Sequence, residues 1–562
     1  MNTTKRAFQH PLNPLPAWKK EFQHYTPTHL QQDLLAGLTV AVVALPLALA
    51  FGVTSGAGAA AGLFTAIIAG LLASLFGGSR YQITGPTGAM TVVLIPVIAQ
   101  YGLEKVFVVG LLAGAMVTLM GILKLGRVVH LIPWPVITGF TNGIAIIIFL
   151  QQLPNFLGLP PSHSESNILL TSTHLIQAYL QHPNFLPPLT ALVTMAIMLF
   201  WPRITKKIPG SIIALVLVTS TSVLQHHTLP RIGEIPHGLP TPHLPSLPFQ
   251  DLGTLFSAAL AIAVLSALES LLSAVVADGM TLKDRHDPDR ELIGQGIANL
   301  VTPIFGGIPS TGAIARTAVG VKSGAHTRLT GIFHALFLLL IVLLLGHYAA
   351  SIPLAVLAGI LMVTAYRMLE FEAIKTLLKS TRSDLSTMLI TTLVTVMFDL
   401  ILAIEVGLLI AGVLFIQRMI QSHTFESIDL TENTPLDLEH DPHLLKRRVL
   451  AYRVEGPLFF GVAGRFLENL TSLSSIDVVI LRMRRVKTLD ASAAHALEAI
   501  LHELHGRGIT LMFSGLQNQP RILLVNMGLY DVLTRHGHHD FTSTDQAITH
   551  AWTHVKRNQE AQ

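Results

Sequence analysis

The sequence contains no cysteine among its 562 residues. Disulfide bonds, thiolate metal ligands and thiol nucleophiles are therefore excluded as sources of stability or chemistry. We expect neither a metal ion nor a cofactor.

Charged side chains are also scarce. Asp, Glu, Lys and Arg make up 12% of the residues, about half the share of a soluble protein, and the mean hydropathy is +0.56. The charges are unevenly placed: residues 34–418 form long apolar stretches, whereas residues 421–562 have a soluble composition. The net charge of +4 is small and suits loops that face anionic lipid, so nucleic-acid binding is not indicated.

The N-terminal segment lacks the apolar core of a signal peptide and is polar and basic. We predict four regions: a cytoplasmic N-terminal segment at 1–33, a transmembrane domain at 34–420, a linker at 421–444 and a soluble domain at 445–562.

Fourteen apolar stretches are candidates for membrane spans, which need about 20 residues, or fewer where a helix breaks at mid-membrane. They lie at 34–53, 58–77, 86–100, 104–123, 131–151, 186–201, 210–224, 252–277, 291–305, 311–323, 326–347, 353–366, 384–399 and 400–418.

The distribution of basic residues predicts the orientation. Alternate loops from Arg80 to Arg382 hold most of them, whereas the opposite loops hold Lys105 and Arg231, and the loop 152–185 holds none. The positive-inside rule therefore places both termini in the cytoplasm, in agreement with an even number of spans.

Two interruptions of the apolar pattern resemble each other. Phe76-Gly77-Gly78 precedes Thr84-Gly85-Pro86-Thr87-Gly88-Ala89, and Phe305-Gly306-Gly307 precedes Thr311-Gly312-Ala313-Ile314. The helices before them keep the same offset, so the spans divide into two repeats of seven. An odd number of spans per repeat gives the repeats inverted topology, so the two short helices approach each other from opposite sides of the membrane.

Interrupted helices in corresponding halves of a transporter indicate the substrate site. A helix that begins at mid-membrane directs unsatisfied N–H groups and the positive end of its dipole inward, where they stabilise an anion. The candidate residues are Gly85, Pro86, Thr87, Gly88, Ala89, Thr311, Gly312, Ala313 and Ile314. The alternative is that these small residues serve only close helix packing.

Two ionisable residues are predicted to lie deep in apolar helices near these breaks, Glu269 and Arg316. An ionisable residue inside the membrane is a functional candidate because its desolvation is costly. We interpret Glu269 as the proton-coupling group, since burial favours the neutral form of a carboxyl group, and Arg316 as a counter-charge for the anion. Ser273, one helical turn beyond Glu269, is placed to hydrogen-bond with it or with a ligand. The alternative is a structural Glu–Arg pair that joins two helices.

The C-terminal region has its own pattern. LKRRVLAYRVEG, DVVILRMR and GITLMFSG are typical of strands, and SAAHALEAILHELHGRG predicts an amphipathic helix that ends at glycine. These elements indicate an α/β domain, and nothing in it combines a nucleophile, a base and an oxyanion site, so we expect no enzyme.

The segments DLLAGLTVAVVALPLALAFG, GGSRYQITGPTGAMTVV, ALESLLSAVVADGMT, ELIGQGIANLVTPIFGG and AIARTAVGVKSGAHTRLTG, followed by the α/β domain, resemble the SulP or solute carrier 26 family of anion transporters, which end in a cytoplasmic STAS domain. The ESLL and FGG…AIAR segments are similar to the C4-dicarboxylate carrier of the family in enterobacteria. The resemblance implies a seven-plus-seven fold of core and gate domains, elevator-type alternating access and a homodimer in the inner (plasma) membrane.

Two departures from relatives bear on substrate and coupling. Sodium-dependent bicarbonate carriers of the family have Asp and Thr where this chain has Glu269 and Ser273, which favours protons over sodium ions here. Plant sulfate carriers have Gln and Tyr where this chain has Leu47 and Phe51, so an apolar wall favours dicarboxylates such as fumarate or succinate. Sulfate, bicarbonate and a passive anion channel remain alternatives.

The resemblance also bears on the STAS domain. The phosphorylatable serine of related anti-sigma-factor antagonists follows the aspartate directly, but here Ala491 stands between Asp490 and Ser492. We therefore expect the domain to serve the dimer or to bind a cytosolic protein.

Overall fold

The chain forms two compact units, residues 1–411 and 412–562. The computed structural model describes residues 18, 21–127, 133–160, 168–205, 209–225, 229–233, 238, 241–246, 252–281, 285–398, 406, 409–410, 412–414, 425–428, 447–456, 458, 476–534 and 540–560.

The first unit is helical, as its apolar composition requires. Its helices are α1 (Pro27–Ser55), α2 (Ala59–Phe76), α3 (Gly88–Tyr101), α4 (Leu103–Ile122), α5 (Trp134–Gln151), α6 (Leu153–Leu157), α7 (Ile168–Gln181), α8 (Leu186–Ile204), α9 (Gly210–Leu224), α10 (Leu252–Thr281), α11 (Pro288–Val301), α12 (Ile314–Lys322), α13 (Leu329–Ala349), α14 (Leu354–Met368), α15 (Phe371–Leu378) and α16 (Arg382–Met397). A 3₁₀ turn, Thr302–Phe305, extends α11.

Each of the first thirteen predicted spans coincides with a helix. The span predicted at 400–418 lies for the most part outside the described residues. Besides the five-residue α6, two helices were not predicted, α7 and α15. Both are shorter than a membrane span and amphipathic rather than uniformly apolar.

The helices of this unit pack as two bundles. The core bundle consists of α1–α4 and α10–α13, with α4 against α10 and α11, and α13 against α1 and α2. The gate bundle consists of α5, α8, α9, α14 and α16, with α5 against α16 and α8 against α14. Each bundle thus combines helices from both sequence repeats, which is the arrangement expected of two inverted repeats that intertwine.

The two sequence breaks meet inside the core bundle. Strands β1 (Thr84–Gly85) and β2 (Thr311–Gly312) pair antiparallel, with Thr84 opposite Gly312 and Gly85 opposite Thr311. This pairing satisfies backbone groups that have no water to bond at membrane depth. It also brings the starts of α3 and α12 together.

In its described residues, the second unit is an α/β domain with a five-stranded sheet in the order β3-β4-β5-β6-β7. The strands are β3 (Phe425–Ile428), β4 (Val449–Glu455), β5 (Val478–Arg485), β6 (Thr510–Ser514) and β7 (Asp540–Phe541), and β3 alone pairs antiparallel. The helices are α17 (Ala491–Gly506), α18 (Asn518–Asn526), α19 (Leu529–Thr534) and α20 (Thr544–Glu560).

Helices cover both faces of this sheet. Leu497, Ile500 and Leu504 of α17 share one apolar cluster with β5 and β6, and Ala551 and Trp552 of α20 share the other. The predicted strands in 445–515 and the predicted helix are present as β4, β5, β6 and α17. Asp490 caps α17, its Oδ1 accepting a hydrogen bond of 2.7 Å from the Ala493 N–H.

Candidate anion-binding site

The two half-helices begin differently. Thr87 is the N-cap of α3, and its hydroxyl oxygen accepts a hydrogen bond of 3.3 Å from the Met90 N–H. Ala313 occupies the N-cap of α12 and has no side chain that can accept such a bond. The first turn of α12 therefore presents N–H groups that no cap satisfies, a suitable arrangement for an anion.

A cavity of about 340 Å³ lies where the two helices start. Its walls come from both bundles and are predominantly apolar. The lining residues are Leu47, Phe51, Thr87, Gly88, Ala89, Val136, Ile137, Phe140, Thr141, Ile144, Leu268, Glu269, Leu272, Ala313, Ile314, Ala315, Arg316, Thr364, Arg367, Met368, Glu370 and Thr391.

Gly88 is required at this point because two bundles meet there. A Cβ atom at Gly88 would lie 2.1 Å from Ile148 Cδ1, in the gate helix α5, and 3.4 Å from Phe51 Cε1. The absent side chain lets the start of α3 approach the gate bundle closely.

Glu269 is bound to the start of α3. Its Oε2 accepts a hydrogen bond of 2.9 Å from the Thr87 hydroxyl group, the same group that caps the helix. Glu269 shares its face of α10 with Leu268 and Leu272, which also line the cavity. The protonation state of one carboxyl group is thereby linked to the end of a half-helix.

Neighbouring serines of α10 hold the second break. Ser266 donates to the Ser310 carbonyl oxygen at 2.9 Å, and the Ser270 hydroxyl oxygen accepts from the Gly312 N–H at 2.9 Å. Both serines are fully buried. Their spacing of four residues places them on one helix face.

Arg316 is buried and is bound to the first repeat. Its Nη2 donates to the Pro86 carbonyl oxygen. Its Nη1 lies close to Gly85, since a Cβ atom added to Gly85 would be 2.5 Å from this nitrogen. Among the ion pairs of the described residues there is none between Arg316 and Glu269, so the alternative of a structural Glu–Arg pair has no direct contact to support it in this structure. Both residues are bonded instead to the segment Pro86–Thr87.

The structure divides the predicted site residues into two groups. Leu47, Phe51, Thr87, Gly88, Ala89, Glu269, Ala313, Ile314 and Arg316 line the cavity. Gly85, Pro86, Thr311, Gly312 and Ser273 do not line it, so the substrate contacts predicted for the first four and the coupling role predicted for Ser273 stay predictions. The first four belong to or adjoin the strand pair, whose backbone is occupied by its own hydrogen bonds.

The predicted hydrogen bond between Ser273 and Glu269 is absent. Ser273 is fully buried, and its hydroxyl group donates to Thr317 Oγ1 at 3.2 Å. Thr317 Oγ1 also accepts from the Ile83 N–H at 3.0 Å, so Ser273 helps to fix the first break to α12. Glu269, one turn earlier in α10, lines the cavity instead. The two side chains therefore have different surroundings although they lie on one helix face.

The sequence pattern missed the gate side of the cavity. Phe140, Ile144, Thr364, Arg367 and Thr391 lie on its wall. The aliphatic and aromatic residues gave no signal because they lie in spans that are apolar throughout. Arg367 lies one residue beyond the span predicted at 353–366, where a basic residue indicates a cytoplasmic loop.

Ionisable residues other than Glu269 and Arg316 are also buried in this unit. Asp33 and His334 are fully buried, and Glu291 is 1% exposed. The Glu291 carboxylate accepts from the N–H groups of Gly78 and Ser79, at 2.9 and 2.8 Å, and from the Gln82 amide at 2.9 Å. It therefore anchors the loop that leads to β1.

Comparison with known proteins agrees with this architecture. The profile of the sulfate permease family matches residues 30–391, and that of the STAS domain matches residues 443–547. The chain belongs to the sulfate permease family.

Relatives within this family match over nearly the whole chain. The putative sulfate transporter YvdB of Bacillus subtilis is 40% identical over 92% of this chain and 98% of its own length. The bicarbonate transporter BicA of Picosynechococcus sp. is 36% identical over 89% of this chain and 91% of its own. The murine anion transporter Slc26a9, solved in an inward-facing state, shares the fold with a TM-score of 0.85 at 19% identity, covering 98% of this chain and 96% of that one.

Membership in the family makes the chain a multi-pass anion transporter rather than an enzyme, with a STAS domain after its membrane helices. The predicted likeness to the C4-dicarboxylate carrier has no counterpart among these matches and stays a prediction.

Proposed function

We propose that the protein is a secondary active, proton-coupled transporter that holds a small anion between the starts of α3 and α12. One observation carries the proposal: a single cavity is bounded by both half-helix starts and by a carboxyl group bonded to one of them. The helix ends supply N–H donors for the anion, and Glu269 supplies a proton site beside it.

Proton coupling follows from the charge of Glu269. An ionised carboxylate and an anion would repel each other strongly in a cavity with mostly apolar walls. Protonation of Glu269 removes this repulsion, so the anion and the proton enter together. Release of the proton on the other side then favours release of the anion.

Alternating access is the transport mode that suits two bundles with the site between them. The half-helices belong to the core bundle, whereas Phe140, Ile144 and Thr391 belong to the gate bundle. Movement of the core bundle relative to the gate bundle would carry the anion across, in the manner of an elevator.

For the substrate we favour C4-dicarboxylates such as fumarate or succinate. The cavity has apolar walls, including Leu47 and Phe51, which suit carbon between two charges. It also has an arginine from each bundle, Arg316 in the core and Arg367 in the gate, and the positive charges of both attract a dianion with separated carboxylates. The names of the relatives make sulfate and bicarbonate the rival substrates.

Reconstituted proteoliposomes test the transport mode. Uptake of labelled fumarate should saturate and should accelerate when the outside is made acidic. Linear flux that ignores the pH gradient would indicate a channel instead.

A competition panel then tests the substrate. Unlabelled succinate should compete with fumarate at lower concentrations than sulfate or bicarbonate. Competition by sulfate or bicarbonate alone would overturn the dicarboxylate assignment and leave the anion site itself in place.

Substitution of Arg367 tests the second cation directly. Arg367→Gln should weaken binding of succinate about tenfold while changing bicarbonate binding little, because only the longer anion reaches the gate wall. Arg382→Gln, near the start of α16 and away from the cavity lining, is the control. Equal losses for both anions would show that Arg367 does not select for dicarboxylates.

Three further assignments belong to this proposal. Both termini lie in the cytoplasm, with the protein in the plasma membrane. The transporter is a homodimer, and the STAS domain contacts a cytosolic protein or the second subunit. A proton rather than a sodium ion is the co-transported cation.

A further inference from the structure

His334 is a buried histidine that has no part in the proposed transport mechanism. His334 lies in α13 and is fully buried, and neither ring nitrogen has a hydrogen-bond partner among the described residues. A buried polar group without a partner costs about 1–3 kcal/mol. An aliphatic side chain would avoid that cost, so the histidine calls for an explanation.

A second unpartnered group lies close by. Arg316 Nη1 is buried and has no hydrogen-bond partner, although Nη2 is bonded to Pro86. A guanidinium group remains protonated and has only donors, so each buried N–H needs an acceptor.

The two groups face the same side of helix α2. A Cβ atom at Gly70 would lie 3.4 Å from His334 Nδ1 and 3.3 Å from the Thr84 carbonyl oxygen. A Cβ atom at Gly85 would lie 2.5 Å from Arg316 Nη1 and 3.4 Å from Ala66 Cα. Gly70 and Ala66 are one turn apart on one face of α2, and Thr84 and Gly85 are consecutive. The ring and the guanidinium group are thus neighbours behind β1.

We propose that His334 is the positioning residue for Arg316: a neutral imidazole whose free nitrogen accepts, through one bridging water molecule, the hydrogen bond that Arg316 Nη1 donates. Among the described residues, Arg316 Nη1 is a donor without an acceptor, and the unprotonated nitrogen of a neutral His334 ring is an acceptor without a donor. A protonated imidazole has no acceptor and would repel the guanidinium group, so the neutral ring is the form that fits. His334 does not line the cavity, so it acts on the anion through Arg316.

This role can be tested without a substrate. In a double-mutant cycle on thermal unfolding of the full-length protein, His334→Leu and Arg316→Lys should be strongly coupled, because either change removes the same water-mediated hydrogen bond. His334→Gln keeps a donor and an acceptor and should restore part of the coupling. Additive effects of the two substitutions would overturn the proposal, whatever the protein transports.

Anion affinity gives a second readout, which rests on the proposed function. His334→Leu should weaken fumarate binding at least about fivefold, and His334→Gln should recover most of it. Leu338→Ala, a fully buried change one turn along α13, is the control: it should lower stability and leave affinity unchanged.

If His334→Leu does not fold, His334→Phe replaces it in both assays, because it keeps a planar ring and removes both nitrogens. Unchanged affinity in a folded His334→Leu or His334→Phe protein would show that the histidine only fills space.

Discussion

At the level of a single residue, Thr87 connects the proposed proton site, Glu269, to the start of the half-helix α3. Its hydroxyl group donates to Glu269 and accepts from the Met90 N–H that begins α3. An ionised Glu269 accepts a stronger hydrogen bond from Thr87 than a neutral Glu269 does. A change in the charge of Glu269 therefore alters the hydrogen bonding of the residue that caps the half-helix. The proton site and the anion site are therefore joined by one side chain.

Glu269→Gln is a permanently neutral substitution that keeps an acceptor for Thr87. Anion binding should stay within a fewfold of the unsubstituted protein, because the cap is preserved and no charge repels the anion. Acceleration of uptake by an acidic exterior should be lost, as measured in proteoliposomes with and without a pH gradient. Glu372→Gln, at an exposed carboxylate with 88% of its side chain accessible, is the control. Full pH-driven accumulation in Glu269→Gln would place the coupling group elsewhere.

Arg316 is expected to act on the anion mainly through its charge. One terminal nitrogen is bonded to Pro86 and the other is buried behind β1, so neither is directed freely into the cavity. Arg316→Ala should weaken anion binding by about 1–3 kcal/mol. Arg316→Lys should retain a substantial part of the affinity, because a positive charge persists in a low-dielectric site. Binding isotherms compare the two, and equal losses would indicate a direct guanidinium–anion contact instead.

At the level of the elements, the two half-helices differ in the groups that their starts leave free. Thr87 satisfies one N–H of α3, whereas Ala313 satisfies none of α12. The backbone of Ala313 is already in the extended conformation of an N-cap residue, with φ −97° and ψ 107°. A serine there would form a cap without moving the chain.

Ala313→Ser should therefore stabilise the protein and weaken anion binding together. The hydroxyl group would add about 0.5–2 kcal/mol of stability as an N-cap, and it would compete with the anion for the same N–H groups. Thermal unfolding and fumarate affinity measure the two effects. Ala315→Ser adds a hydroxyl group to the same cavity at a position that cannot cap, and should leave stability nearly unchanged. Higher stability of Ala313→Ser with undiminished affinity would show that the α12 start does not bind the anion.

At the scale of the whole molecule, the sequence predicted the parts of the site that have local signals. Glycine and proline interrupt apolar helices at both half-helix starts, and a buried glutamate or arginine is conspicuous in an apolar segment. Long-range pairing gives no such signal. The β1–β2 register and the packing of His334 against Gly70 join segments more than 200 residues apart, and the Ser273–Thr317 bond joins residues 44 apart on different helices. Gate residues such as Phe140 and Ile144 could not be distinguished from residues that face lipid.

The absence of cysteine makes the relative motion of the two bundles directly testable. Gln152, after the gate helix α5, donates a hydrogen bond of 3.2 Å to Thr54 Oγ1 in the core helix α1. Elevator-type transport requires this contact to break in each cycle, because the two residues belong to bundles that move past each other. Thr54→Cys/Gln152→Cys introduces two thiols into a chain that has none. A short bifunctional thiol reagent should abolish uptake, and a reducible version should allow recovery after reduction. Each single-cysteine variant should keep its activity after the same treatment. Undiminished uptake in fully cross-linked protein would show that the anion crosses without movement between the core and gate bundles.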